Sequence, residues 1–112
     1  MTISKSAMLA LLFCSSSWAL TVGTNCSEQE LANIHRAIEG YIKNDSAGAS
    51  KGITINSEHC LSGYASALVH YPQPQYDAQV AYLRHDHVWK VLGVATGFDG
   101  EFMSKIPAAI QQ

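Results

Sequence analysis

The chain has 112 residues, 47% of them hydrophobic and 14% charged, with a mean hydropathy of +0.02. That length holds one hydrophobic core and leaves no room for a cofactor domain beside a substrate domain. Seven Lys plus Arg against nine Asp plus Glu, a formal net charge of −2, provide no basic face for a phosphate backbone, so no nucleic-acid partner is expected.

The first residues read as an address. Lys5 gives a positive start, the run from Ala7 to Cys14 is apolar, and Ser15-Ser16-Ser17-Trp18-Ala19 closes it with small residues. This is the layout of a secretory signal peptide over residues 1–19, cut after Ala19 to leave a mature domain of residues 20–112. A membrane anchor is the competing reading, but the apolar run is about 8 residues where a spanning helix needs about 20. A lipid-modified Cys14 is opposed by the bulky Phe13 before it. Cleavage removes Lys5 and Cys14 and leaves 93 residues with net charge −3 and two cysteines, Cys26 and Cys60. In an oxidising periplasmic or extracellular compartment these two are expected to pair. The alternative use of Cys60 as a nucleophile beside His59 is weakened because neighbours on a strand point to opposite faces.

Ser27-Glu28-Gln29-Glu30 reads as a capping box. Leu31, Ile34, Ile38, Tyr41 and Ile42 follow at helical spacing, while Glu28, Arg36, Glu39 and Lys43 fall largely elsewhere. An amphipathic helix over 27–43 results, with one face to bury. Residues 44–52 are small, polar and turn-forming, and predict a loop.

From Ile53 the pattern becomes β-rich. A short strand is expected over 52–56 and a longer one over 61–71, with Ala65, Ala67, Val69 and Tyr71 on one face and Tyr64, Ser66, Leu68 and His70 on the other. The small side chains at Ala65 and Ala67 should let the helix lie close. Pro72-Gln73-Pro74-Gln75 cannot continue a central strand and predicts a polar connection. Residues 77–84 and 88–95 read as two more strands joined at His85-Asp86-His87 in a hairpin. A turn at 97–100 and a half-helix over 104–110 around Pro107 complete the chain. The expected fold is α+β: one N-terminal helix packed on a mostly antiparallel sheet of three to four strands, as in cystatin-like folds.

Candidate sites are few. His85 and His87 point the same way on an extended chain, yet no second His- or Cys-rich segment supplies further ligands, so no metal or other cofactor is expected. Trp89, flanked by valines, is either a sheet residue or an anchor for a protein partner. The sequence has no nucleophile elbow, zinc-protease motif or phosphate loop, and the expectation is a protein that is not an enzyme. An enzymatic alternative would use His70 or His35 with Asp77 or Asp99.

The Ser62-Gly63-Tyr64 run after Cys60 resembles the Ser-Gly element on the binding surface of small periplasmic lysozyme inhibitors of bacteria. The residues 81–84, 88–93 and 97–99 are similar to the C-terminal hairpin of many small exported bacterial proteins. Those inhibitors are mainly β-barrels, from which the opening helix here departs. The resemblance implies an inhibitor or immunity-type protein of the envelope that binds and neutralises a protein partner, either a cell-wall hydrolase or a delivered toxin. Ser62, Gly63 and Tyr64 are its candidate contacts, with Gln73, Gln75 and Tyr76 in the polar 72–77 connection and Trp89 beside them. A net charge of −3 would speed association with basic wall-degrading enzymes. The alternative is a small-molecule-binding or enzymatic domain with a His/Asp-lined pocket between helix and sheet. Edge pairing of the 78–95 hairpin would build a homodimer, and a subunit role in an envelope assembly would show as a long apolar strand edge.

Overall fold

The computed structural model describes residues 23–45 and 51–112. The expected signal peptide, Cys14 included, and residues 46–50 of the expected loop lie outside the described residues. Helix α1 spans Glu28–Asp45. Four strands follow, β1 (Thr54–Leu61), β2 (Tyr64–His70), β3 (Gln79–Asp86) and β4 (Val88–Ala95), then a one-turn helix α2 (Gly100–Met103) and a 3₁₀ turn at Ala108–Ile110. The strands form one sheet in the order β1-β2-β3-β4, and every neighbouring pair is antiparallel. The α+β arrangement of one long helix and an antiparallel sheet is therefore present, with four strands in a simple meander. No helix among the described residues is long and apolar enough to cross a membrane.

The capping box forms as the sequence requires. The Glu30 amide donates to Ser27 Oγ at 3.1 Å and the Ser27 amide donates to Glu30 Oε1 at 2.8 Å, so two helix-start donors are satisfied reciprocally. Below the cap, Ile34, Ile38 and Ile42 are buried and form one core with Cys60, Ala65, Ala67, Val69, Ala81 and Leu83. Ala65, Ala67 and Ala81 share this buried cluster with the helix isoleucines, while the closest backbone approach of α1 to the sheet is at β4. Tyr41, assigned to the same stripe, is instead 38% exposed.

One strand assignment is corrected. The chain does not run as a single strand from Leu61 to Tyr71; β1 extends to Leu61, reverses at Ser62-Gly63, and returns as β2. Both turn residues have positive φ, Ser62 at 52° and Gly63 at 79°, the geometry of the tight hairpin turn whose twist matches its strands. β1 carries a bulge: between Asn56↔Leu68 and His59↔Ser66 its register shifts, with Ser57 at φ 56°. The extra residue re-aims the strand and puts Glu58 against His35 of α1. The expected short strand at 52–56 is thus the first half of an eight-residue β1. β3 runs two residues further than expected, through Asp86, and the β3–β4 reversal centres on His87 at φ 67°.

The sequence pattern gave only one face of the sheet a cover, and the structure covers both. On the side away from α1, Tyr82, Ile106 and Ile110 are buried with Leu61, Tyr64, Val80, Phe98, Phe102 and Met103 packed against them. Phe98 and Phe102 stack at 4.3 Å, and Tyr82 meets Phe98 edge-on at 5.3 Å. The expected turn at 97–100 becomes the start of α2, where Asp99 accepts from the Phe102 amide at 2.8 Å. The 104–110 half-helix is reduced to the 3₁₀ turn after Pro107. Ser66, fully buried, donates to the Ile110 carbonyl at 2.6 Å. Gln112 closes the tail, its amide donating to Tyr82 Oη at 3.0 Å and its side chain to the Ser57 carbonyl at 2.7 Å.

Candidate functional site

In a four-strand meander the β1–β2 and β3–β4 turns share one end of the sheet, and the β2–β3 connection occupies the other. The start of α1 lies at the turn end, because the disulfide between Cys26 and Cys60 ties the residue before the cap to β1 beside its turn. Their Cα atoms are 5.1 Å apart. The Thr24 carbonyl accepts from the Cys60 amide at 2.7 Å, which lays the pre-helix segment along the outer edge of β1. The His85 amide donates to the Gly63 carbonyl at 2.7 Å, carrying the β2–β3 ladder one step into the turn.

Between these anchored pieces opens a cleft of about 630 Å³. Its helix-side wall carries Asn25, Gln29, Glu30 and Asn33, and its sheet-side wall carries Ser62, Gly63, Tyr64, His85 and Trp89. Rings of His85 and Trp89, cross-strand neighbours in β3 and β4, lie 5.0 Å apart. The Arg84 guanidinium sits 5.7 Å from the Tyr64 ring centre. A smaller hollow of about 320 Å³ shares Asn33, His85 and Trp89 with the first and adds Arg36, His87 and Val88. Asn33, His85 and Trp89 therefore border both recesses. Arg36 is engaged on its own helix, donating to Asn33 Oδ1 at 3.0 Å.

The structure brings together Ser62, Gly63, Tyr64 and Trp89 among the residues singled out from sequence. It separates Gln73, Gln75 and Tyr76, which lie in the β2–β3 connection at the far end. There the Tyr76 amide donates to the Gln73 carbonyl at 3.1 Å, and Tyr76, 56% exposed, meets Tyr71 edge-on at 6.0 Å. The disulfide engages Cys60, and the histidines of the enzymatic alternative pair elsewhere. His35 Nε2 meets the Glu58 carboxylate, His70 Nε2 lies 3.1 Å from Asn56 Oδ1, and Asp99 caps α2. His85 and His87 both border the smaller hollow, but among the described residues no three His, Cys, Asp or Glu side chains gather as a metal site would need.

Asn25, Gln29 and Asn33 were not singled out from sequence. Polar residues on and just before a helix carry no signal of their own, and only the fold brings them to one cleft with Trp89. Compared with known protein families, with curated proteins and with solved structures, the chain matches none of them.

Proposed function

We propose that this is an exported, non-catalytic protein of the bacterial envelope that binds and neutralises a protein partner, either a cell-wall hydrolase or a toxin delivered by a rival cell. The observation that carries the reading is the Ser62-Gly63 turn. It is exposed, backed by the Cys26–Cys60 bridge and hydrogen-bonded to β3. A projecting loop whose conformation is already fixed loses little freedom on docking, and that raises affinity without new contacts. The disulfide is compatible with export. The space between helix and sheet is filled by Ile34, Ile38, Ala65, Ala67 and Leu83, which supports the rim over an internal His/Asp pocket as the working surface. Val88 and Leu92 on the outer strand β4 are 62% and 42% exposed and extend that surface around the β3–β4 tip.

The test is inhibition. The purified protein is titrated into wall-lysis assays run with muramidases, amidases, endopeptidases and wall-targeting toxins. Stoichiometric inhibition of one class is expected, together with a one-to-one complex in size-exclusion chromatography. The Gly63→Asp variant should lose both, whereas a Tyr76→Ser variant at the far end should keep them. No inhibition and no complex with any member of the panel would overturn the reading.

A further inference from the structure

The larger cleft has a chemical character that narrows what a small ligand there must be. Its polar side chains are almost all uncharged: Asn25, Gln29 and Asn33 line it together with Ser62. No Lys or Arg lines it, and the capping box occupies the Ser27 and Glu30 amides at the helix start, so an anion finds neither a cation nor those donors. Its single carboxylate, Glu30, already accepts from the Ser27 amide, which leaves a cation poorly served.

What remains is a neutral molecule with many hydroxyl or amide groups and one apolar face. The side chains of Asn25, Gln29 and Ser62 make no hydrogen bond within the chain among the described residues, so their donors and acceptors are unspent. Trp89 offers the apolar surface on which the C–H face of a pyranose ring rests, with its N–H as a polar handle. The volume, about 630 Å³, is that of an ordinary small-ligand site. Both walls are fixed before any ligand arrives, by the bridge on one side and the turn-to-β3 hydrogen bond on the other. We propose that this cleft is a carbohydrate-binding site for a short neutral oligosaccharide, with Trp89 as the stacking platform and Asn25, Gln29 and Asn33 as the hydroxyl-reading side chains. The proposal stands independently of the protein-partner reading.

The experiment is a titration of the full ¹⁵N-labelled chain with chitotetraose and, separately, cellotetraose and maltotetraose, followed by NMR. For at least one sugar, saturable shifts are expected at the Trp89 indole N–H and at the side-chain amides of Asn25, Gln29 and Asn33. Gln75, at the far end, should not move. Gln29→Ala, on an exposed helix position, should weaken binding about threefold to tenfold with an unchanged melting temperature, and Trp89→Ala should weaken it more. Absence of shifts at a sugar concentration of about 10 mM, where a site of 1 mM affinity would be about nine-tenths filled, would overturn the proposal. Shifts spread over the surface and indifferent to Gln29→Ala would overturn it equally. Neither failure bears on inhibition by the Ser62-Gly63 turn, which is read in a separate assay.

Discussion

Gly93 offers the sharpest test of how the second face of the sheet is packed. It pairs with Tyr82 in β3, and a Cβ placed on it would stand 2.9 Å from Phe98 Cε1 and 3.8 Å from Phe102 Cε2. Any retreat of Phe98 disturbs its stack on Phe102 and its edge contact with the fully buried Tyr82. Gly93→Ala therefore overpacks this cluster, which costs about 1–3 kcal/mol. Ala at an ordinary strand backbone returns about 0.5–1 kcal/mol by restricting the unfolded chain. The net expectation is a loss centred on about 1 kcal/mol, which in a domain of this size lowers the melting temperature by roughly 4–8 °C. Urea unfolding followed by far-ultraviolet circular dichroism, with calorimetry for the midpoint, measures both. The same alanine in a Phe98→Leu background should cost less by about 1 kcal/mol, since the two sites are in contact. A Gly93→Ala protein as stable as the parent, or a double variant showing simple additivity, would refute the packing of the tail against β4.

Replacing both Cys26 and Cys60 with Ala removes a bridge of sequence separation 34, for which the loop-entropy relation gives about 4 kcal/mol; denaturation with and without reductant should show the parent losing a comparable amount, and an unchanged midpoint would remove the bridge from the account of stability. Ser66→Ala deletes the donor to the buried Ile110 carbonyl and should destabilise by about 1–3 kcal/mol in urea unfolding, whereas a substitution within ±0.5 kcal/mol would show that the carbonyl finds another partner.

Helix α1 was legible because two independent signals coincide: the Ser27/Glu30 box fixes its start and the Ile34, Ile38, Ile42 spacing fixes its buried face. The disulfide was legible once Cys14 was assigned to the signal peptide, because an exported chain is then left with two cysteines, Cys26 and Cys60. The first hairpin was not, although Ser62-Gly63 between alternating segments is a recognised two-residue turn signal; the continuous β pattern on both sides masked it. The tail's contribution was missed for a different reason. Phe98, Phe102, Ile106 and Ile110 recur every fourth residue, which suggests one face to be buried, but Pro107 and the glycines at 97 and 100 interrupt any helix long enough to announce it. For the site, sequence supplied the turn residues and Trp89, while the companions on α1 depend on a long-range placement that no local pattern contains.

The unbroken order of the meander also governs how the sheet is assembled. Two of its three strand pairings close across very short loops, Ser62-Gly63 and His87, and the third across the eight residues between His70 and Gln79. Such local closures carry small entropic barriers, so the sheet itself is a low-contact-order object. The distant closures are at its margins: Cys26 to Cys60, α1 onto β4, and Ile110 onto Ser66. A chain made from its N-terminus can therefore cover the α1 face once β4 has emerged, yet the Tyr82 face stays wet until the last residues arrive. During that interval the exposed side presents Tyr82 and Val80 to whatever is near, a window in which a holding chaperone has a defined surface to occupy.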